Sequence, residues 1–289
     1  MPPELEPDMT PLTAAPPDTV DRIENPTREE FLEAYLWKGK PVVIARAMDD
    51  WPALVEWRPE GLRARIGGKR VRVTRRDEGV YRAIDPVEMT VAEYVDILED
   101  PARREHYYLT GLTTGKDLTE LAGDFSVPRF LEPEWAQELH VWVGHQSRTI
   151  NHYHSHHEAL LCQIVGQKKV LLYAPRDTAA LYPKGFWASD HNCSRVDAHA
   201  PDLEAFPRFK QARPIECTLE QGEALFIPVH WWHAVYGLDL SASGTFFWPA
   251  RIRDWHFPVP GVRCAAHLVM NRVPPLRRLI PGEWQRAGK

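Results

Sequence analysis

Four of the six residues from His152 to His157 are histidine, and Pro228-Val229-His230-Trp231-Trp232-His233 carries two more. In an extended strand successive side chains alternate faces, so His152 and His154 project to one side about 6–7 Å apart, close enough to chelate one ion. His233 can close such a site from a second strand. Neutral imidazole suits iron, zinc, copper or nickel. Two or three imidazoles with a carboxylate and open positions point to a non-haem iron that activates oxygen.

Thirteen histidines in 289 residues produce some close pairs by chance, and an exposed histidine cluster can simply be solvated. The surroundings argue otherwise. An apolar run from Ala159 to Val165 follows the cluster, then Gly166-Gln167 as a turn, then Lys168 to Tyr173 as a return strand. The spacing predicts a hairpin that sets the histidines at the mouth of a sheet.

The elements that must hold this site follow from length and composition. With 44% apolar and 26% charged residues, the chain can bury one large core with a small appendage. A net charge of -5 argues against a general nucleic-acid surface. Cys162, Cys193, Cys217 and Cys264 are scattered with no C-x-x-C pair, which favours reduced thiols over a disulfide framework or zinc knuckle. The N-terminal residues are acidic and proline-rich where a signal peptide needs a basic start, and no stretch approaches the ~20 apolar residues of a membrane span. The expectation is a cytoplasmic protein without membrane partners.

Residues 1–20 carry six prolines and few large apolar groups, as a flexible tail does, and folded structure is expected from Asp21. Thr27 and Glu30 form a capping-box pattern ahead of Phe31, Leu32, Tyr35 and Leu36, and Thr90 with Glu93 repeats it. Pro41 to Ala45 reads as a buried strand, and His106 to Leu109 begins another. Val71 and Val73 alternate with Arg70, Arg72 and Thr74 as in a half-buried strand. Its basic face fits either a solvated edge strand or an entrance wall selecting an anionic substrate. The remaining elements are short strands ending at Thr245 to Trp248, the pattern of a barrel or jelly roll. Residues 251–289 read as a C-terminal helical extension, with two short helices between Val262 and Leu279 broken at Pro274-Pro275. Those helices are a candidate homodimer contact.

From about Lys40 to Trp248 the chain resembles the JmjC-type, cupin-like oxygenases that use Fe(II) and 2-oxoglutarate. The likeness is carried by Pro41-Val42-Val43-Ile44 with Asp50-Trp51-Pro52-Ala53-Leu54, by Trp142-Val143-Gly144 leading to Thr149-Ile150-Asn151-His152-Tyr153, and by Asn192 to Asp197. It continues in Gly222-Glu223-Ala224-Leu225-Phe226-Ile227-Pro228 with Trp231-Trp232-His233. The resemblance implies a mainly β double-stranded β-helix over 21–250, with flanking N-terminal helices. It further implies His152 as first metal ligand and His233 as last, Lys168 as the cation for the far carboxylate of 2-oxoglutarate, and Thr149 and Tyr108 as hydroxyls holding the same cosubstrate.

The family's first motif is His-x-Asp, and His154 stands here in place of the aspartate. One extra residue also separates His152 from Gln163. Histidines at 152 and 154 followed by Glu158 resemble instead the first motif of the wider cupin superfamily, which implies the set His152, His154, Glu158 and His233. Four ligands leave two positions of an octahedron, whereas a three-ligand site leaves three, enough for a chelating keto acid and oxygen. The resemblance thus implies an Fe(II)-, 2-oxoglutarate- and O2-dependent hydroxylase acting on a C–H bond of a peptide, protein or small metabolite. A 2-oxoglutarate-independent cupin dioxygenase and a non-catalytic cupin-like binding module are the alternatives.

Overall fold

The computed structural model describes residues 19–77 and 80–272; most of the expected tail, and everything after Arg272, lie outside these. Twelve strands are present among the described residues: β1 (Asp21–Glu24), β2 (Val42–Ala45), β3 (Arg70–Asp77), β4 (Val80–Thr90), β5 (Tyr107–Thr113), β6 (His140–His145), β7 (His157–Val165), β8 (Lys168–Tyr173), β9 (Ile215–Leu219), β10 (Ala224–Ile227), β11 (Trp232–Gly237) and β12 (Leu240–Pro249). The helices are α1 (Arg28–Phe31), continued by a wider turn to Leu36, then α2 (Ala53–Glu56), α3 (Pro59–Ile66), α4 (Val91–Glu99) and α5 (Gly261–Arg272).

Both capping boxes form. Thr27 and Glu30 satisfy each other's backbone N–H groups at the start of α1, and Thr90 and Glu93 do so at α4. The helices bury Phe31, Trp57, Leu62, Ile66, Tyr94, Val95 and Leu98 against the outer face of a nine-stranded sheet ordered β1-β2-β10-β7-β12-β6-β5-β3-β4.

The second sheet, β11-β8-β9, faces the first. Strand parity fixes what lies between them: Ala159 and Leu161 from the large sheet meet Val170, Leu172 and Val235 from the small one in a single apolar cluster. The opposite face of the small sheet, with Tyr173, Trp232 and Ala234, is covered by Leu181, Val196 and Cys264 of the loop and of α5. This is the mainly β jelly roll expected, with N-terminal helices on its back.

Two local expectations are corrected. Residues 157–173 are not a hairpin. β7 pairs with β10 and β12, while β8 pairs with β9 and β11, so the Gly166-Gln167 corner carries the chain from one sheet to the other. Gly166 has φ +71°, and a Cβ there would meet the Leu240 carbonyl oxygen at 2.1 Å, so only glycine makes this corner without strain. β3 is not an edge strand either, because it lies between β4 and β5. A single helix runs from Gly261 to Arg272, and the Pro274-Pro275 break falls outside the described residues. No helix among the described residues is long and apolar enough to cross a membrane.

Candidate metal centre

The three histidines arrive from two segments. His233 opens β11 with Trp232, and its parity with Val235 and with Leu172 of β8 turns it into the space between the sheets. His152 lies ahead of β7, in an isolated antiparallel bridge to His233. One nitrogen of each of His152, His154 and His233 lies within 4.8 Å of the others, and no other such group of three potential ligands occurs among the described residues.

Their hydrogen bonds set the tautomers. The His152 Nδ1–H donates to the Ile150 carbonyl at 2.8 Å, and the His233 Nδ1–H donates to the Trp231 carbonyl at 3.1 Å. In both rings this leaves Nε2 as the lone-pair nitrogen, the arrangement that a carbonyl accepting from the other ring nitrogen imposes on metal-binding histidines. The His154 Nδ1 is buried without a partner. Burial holds the pKa of His152 below the ordinary histidine value. Burial first, and then the neighbouring imidazoles, hold His154 and His233 well below it, so all three are neutral donors at neutral pH. This donor set fits a divalent ion that favours imidazole.

Glu158, expected as a fourth ligand, is not in the group. It pairs with Trp248 across β7 and β12 and shares strand parity with Leu160, which places it on the helix-covered face of the large sheet. There its carboxylate accepts the Val229 N–H at 2.8 Å. Burial raises its pKa to about 8, partly offset by that N–H. Of the four candidate ligands, the fold brings together the three histidines.

Lys168 is fully buried at the start of β8, paired with Gly237, on the same inward face as His233 four residues along the ladder, roughly 13 Å at ~3.3 Å per residue. Its ammonium donates to the Ser243 hydroxyl of β12, in the opposing sheet. No carboxylate pairs with it among the described residues, and burial lowers its pKa to about 7. Tyr108 pairs with Gly144, and Gly144 with Ser241, so it shares the face of Ser243; its ring lies so close to Gly144 that a Cβ there would come 2.6 Å from Cδ2. Thr149 accepts the Val235 N–H through Oγ1 at 2.9 Å while its own N–H donates to the Val235 carbonyl at 2.9 Å.

Three chamber residues carried no recognisable signal. Ser243 meets Lys168 only because two sheets face each other. Phe247 puts its ring 5.0 Å from His154 and 4.9 Å from His140, both edge-on. The half-buried His140 reaches the chamber because it lies opposite Thr245 in the ladder. Strand alternation alone would flag Ser243 and Phe247 as same-face residues, but it does not say which face looks inward.

Two facing sheets with an imidazole triad at one end and an inward lysine further along define a jelly roll of the cupin type. The chain belongs to the JmjC-type, cupin-like oxygenase family, matching the "Cupin-like domain" over residues 27–254. It is similar to "Lysine-specific demethylase 8" of Xenopus tropicalis, 33% identical over 234 residues that cover 79% of this chain and 52% of the relative. It is also similar to "Lysine-specific demethylase JMJ30" of Arabidopsis thaliana, 30% identical over 225 residues, 76% of this chain and 52% of the relative. A third likeness is to "tRNA wybutosine-synthesizing protein 5" of Homo sapiens, 29% identical over 250 residues, 79% of this chain and 77% of that protein. The chain spans about half the length of the two demethylase relatives.

Proposed function

We propose that this protein is an Fe(II)- and 2-oxoglutarate-dependent hydroxylase whose metal is held by His152, His154 and His233. The observation that carries the reading is the Lys168 ammonium, which donates to Ser243, has no carboxylate partner among the described residues, and is buried on the inward face that also presents His233. An uncompensated buried cation is costly unless an anion arrives to meet it. A dicarboxylate chelating the metal at one end and meeting Lys168 at the other satisfies both features. The bound metal and keto acid would supply the activation of oxygen for C–H oxidation.

The protein's own residues bind, orient and exclude water. Lys168 fixes the far carboxylate with Ser243 holding its ammonium, and the Thr149 hydroxyl keeps its proton available for donation while Oγ1 accepts from Val235. Tyr108 closes the same face. With Glu158 turned away, three protein ligands leave three octahedral positions, which suits chelation by a keto acid together with oxygen. The four-ligand arrangement that would favour a 2-oxoglutarate-independent dioxygenase has lost its carboxylate. An all-imidazole site also leaves the full charge of a divalent ion uncompensated, which favours an anionic cosubstrate.

The substrate is a peptide, protein or small metabolite, and the exposed Arg70 and Arg72, on the parity of Thr74, which pairs with Tyr108, offer an anionic group a rim contact. Cytoplasmic location and a homodimer through the C-terminal helix belong to the same proposal. The test is slow, substrate-independent conversion of 2-oxoglutarate to succinate by the Fe(II)-loaded protein. Turnover that disappears in His233→Ala supports the assignment; turnover at the parental rate in that variant overturns it.

A further inference from the structure

The segment carrying His152 and His154 is held from behind. Tyr153 points away from its two neighbours, is fully buried, and packs edge-on against Trp232 at 4.7 Å and His191 at 6.3 Å. Its backbone is clamped by one residue: the Tyr153 N–H donates to the Asn192 carbonyl at 3.0 Å, and the Asn192 Nδ2 donates to the Tyr153 carbonyl at 2.7 Å.

The loop that supplies Asn192 is in turn gripped by α5. The Arg263 guanidinium donates to the carbonyls of Lys184, Gly185 and His191 at 2.7, 3.3 and 3.1 Å. His267, four residues on, stacks face to face on His191 with centroids 3.5 Å apart and planes 16° from parallel. Its Nε2–H donates to the Phe186 carbonyl, which fixes the ring in that stack. Contacts therefore run without a gap from α5 through His191 and Asn192 to the backbone between two candidate ligands.

We propose that α5 is a positioning element of the metal centre, with His267 and Arg263 acting through the loop at His191 and Asn192 to set the spacing of His152 and His154. The inference rests on the metal-site reading above. Residues that orient metal ligands from outside the coordination shell typically change affinity 10–100-fold when removed. His267 and Arg263 act here at one further remove, through the loop.

The test is Co(II) affinity of the full-length apoprotein, measured anaerobically by competition with a chromophoric chelator. His267→Ala and Asn192→Ala should each weaken Co(II) about 10-fold, the double variant should be no weaker than the worse single one, and His267→Phe, which keeps a ring in the stack, should recover most of the loss. Val269→Ala, on the exposed side of the same helix, should bind as the parent does. If His267→Ala fails to fold by circular dichroism, Arg263→Met with Asn192→Ala completes the same cycle. Parental Co(II) affinity in folded His267→Ala or Arg263→Met, or additive losses in the double variant, overturns the positioning role alone. A parent protein that binds no Co(II) removes the metal-site reading beneath it.

Discussion

His152 and His233, 81 positions apart in sequence, exchange both backbone hydrogen bonds: the His152 N–H donates to the His233 carbonyl at 3.0 Å, and the His233 N–H donates to the His152 carbonyl at 2.7 Å. The bridge sets the two rings 4.2 Å apart by centroid without using either side chain. Replacing either imidazole should therefore remove the metal and leave the scaffold. His152→Ala and His233→Ala are each expected to lower Co(II) or Fe(II) affinity at least 100-fold with an unchanged circular dichroism spectrum, measured by equilibrium competition. Loss of folded structure in both variants would show that the rings, and not the bridge, hold the segments together.

Glu158→Gln separates a structural carboxyl from a ligand. Glutamine still accepts from the Val229 N–H, so metal affinity should stay within about threefold, against the 10–100-fold loss expected on disturbing a metal site. The folded-state pKa near 8 lies above the ordinary value of 4.5, so the folded form binds more protons between those values and stability falls as pH rises through that window. Glu158→Gln should flatten this fall. Its melting temperature should match the parent below pH 4.5 and exceed it above pH 8, and an unchanged pH profile would contradict the buried placement.

Lys168 has the opposite linkage. Its folded-state pKa near 7 lies below 10.5, so the folded form binds fewer protons across that window and stability rises with pH. Lys168→Met should therefore melt higher than the parent at pH 7, with the gain shrinking toward pH 10.5, while 2-oxoglutarate affinity drops at least tenfold. In the parent, the bound dicarboxylate should draw a proton onto the amine, so calorimetry in buffers of different ionisation enthalpy should detect proton uptake above pH 7. Absence of uptake, together with parental affinity in Lys168→Met, would free the lysine from this role.

Gly166→Ala tests the corner between the sheets. The positive φ and the 2.1 Å approach to the Leu240 carbonyl both oppose a side chain. The expected cost is about 2–4 kcal/mol, combining backbone strain and steric displacement. Denaturant unfolding measures it, and a loss below about 1 kcal/mol would mean that the corner relaxes.

Much of this was legible from local chemistry. Both capping boxes announced their helices because the partners are three residues apart, and the buried strand at Val42–Ala45 announced itself by composition. The histidine triad was legible because two of its members are adjacent in alternation. The run from Ala159 to Tyr173 misled for a physical reason: a glycine corner between two strands reads the same whether the strands pair or separate into facing sheets. Glu158 misled for a related one. Motif spacing counts residues, but the face a strand residue presents depends on register, and a single extra residue reverses it. The Lys168–Ser243 contact and the grip of α5 on Asn192 depend on long-range packing that no local pattern encodes.

The central claim, a three-histidine iron site that takes 2-oxoglutarate, is most directly tested by titrating 2-oxoglutarate anaerobically into the Fe(II)-loaded protein and following the visible metal-to-ligand charge-transfer band. The band should grow and saturate at one equivalent in the parent, still form in Glu158→Gln, and need at least tenfold more 2-oxoglutarate in Lys168→Met. Iron bound with no band at any concentration of the keto acid would contradict it.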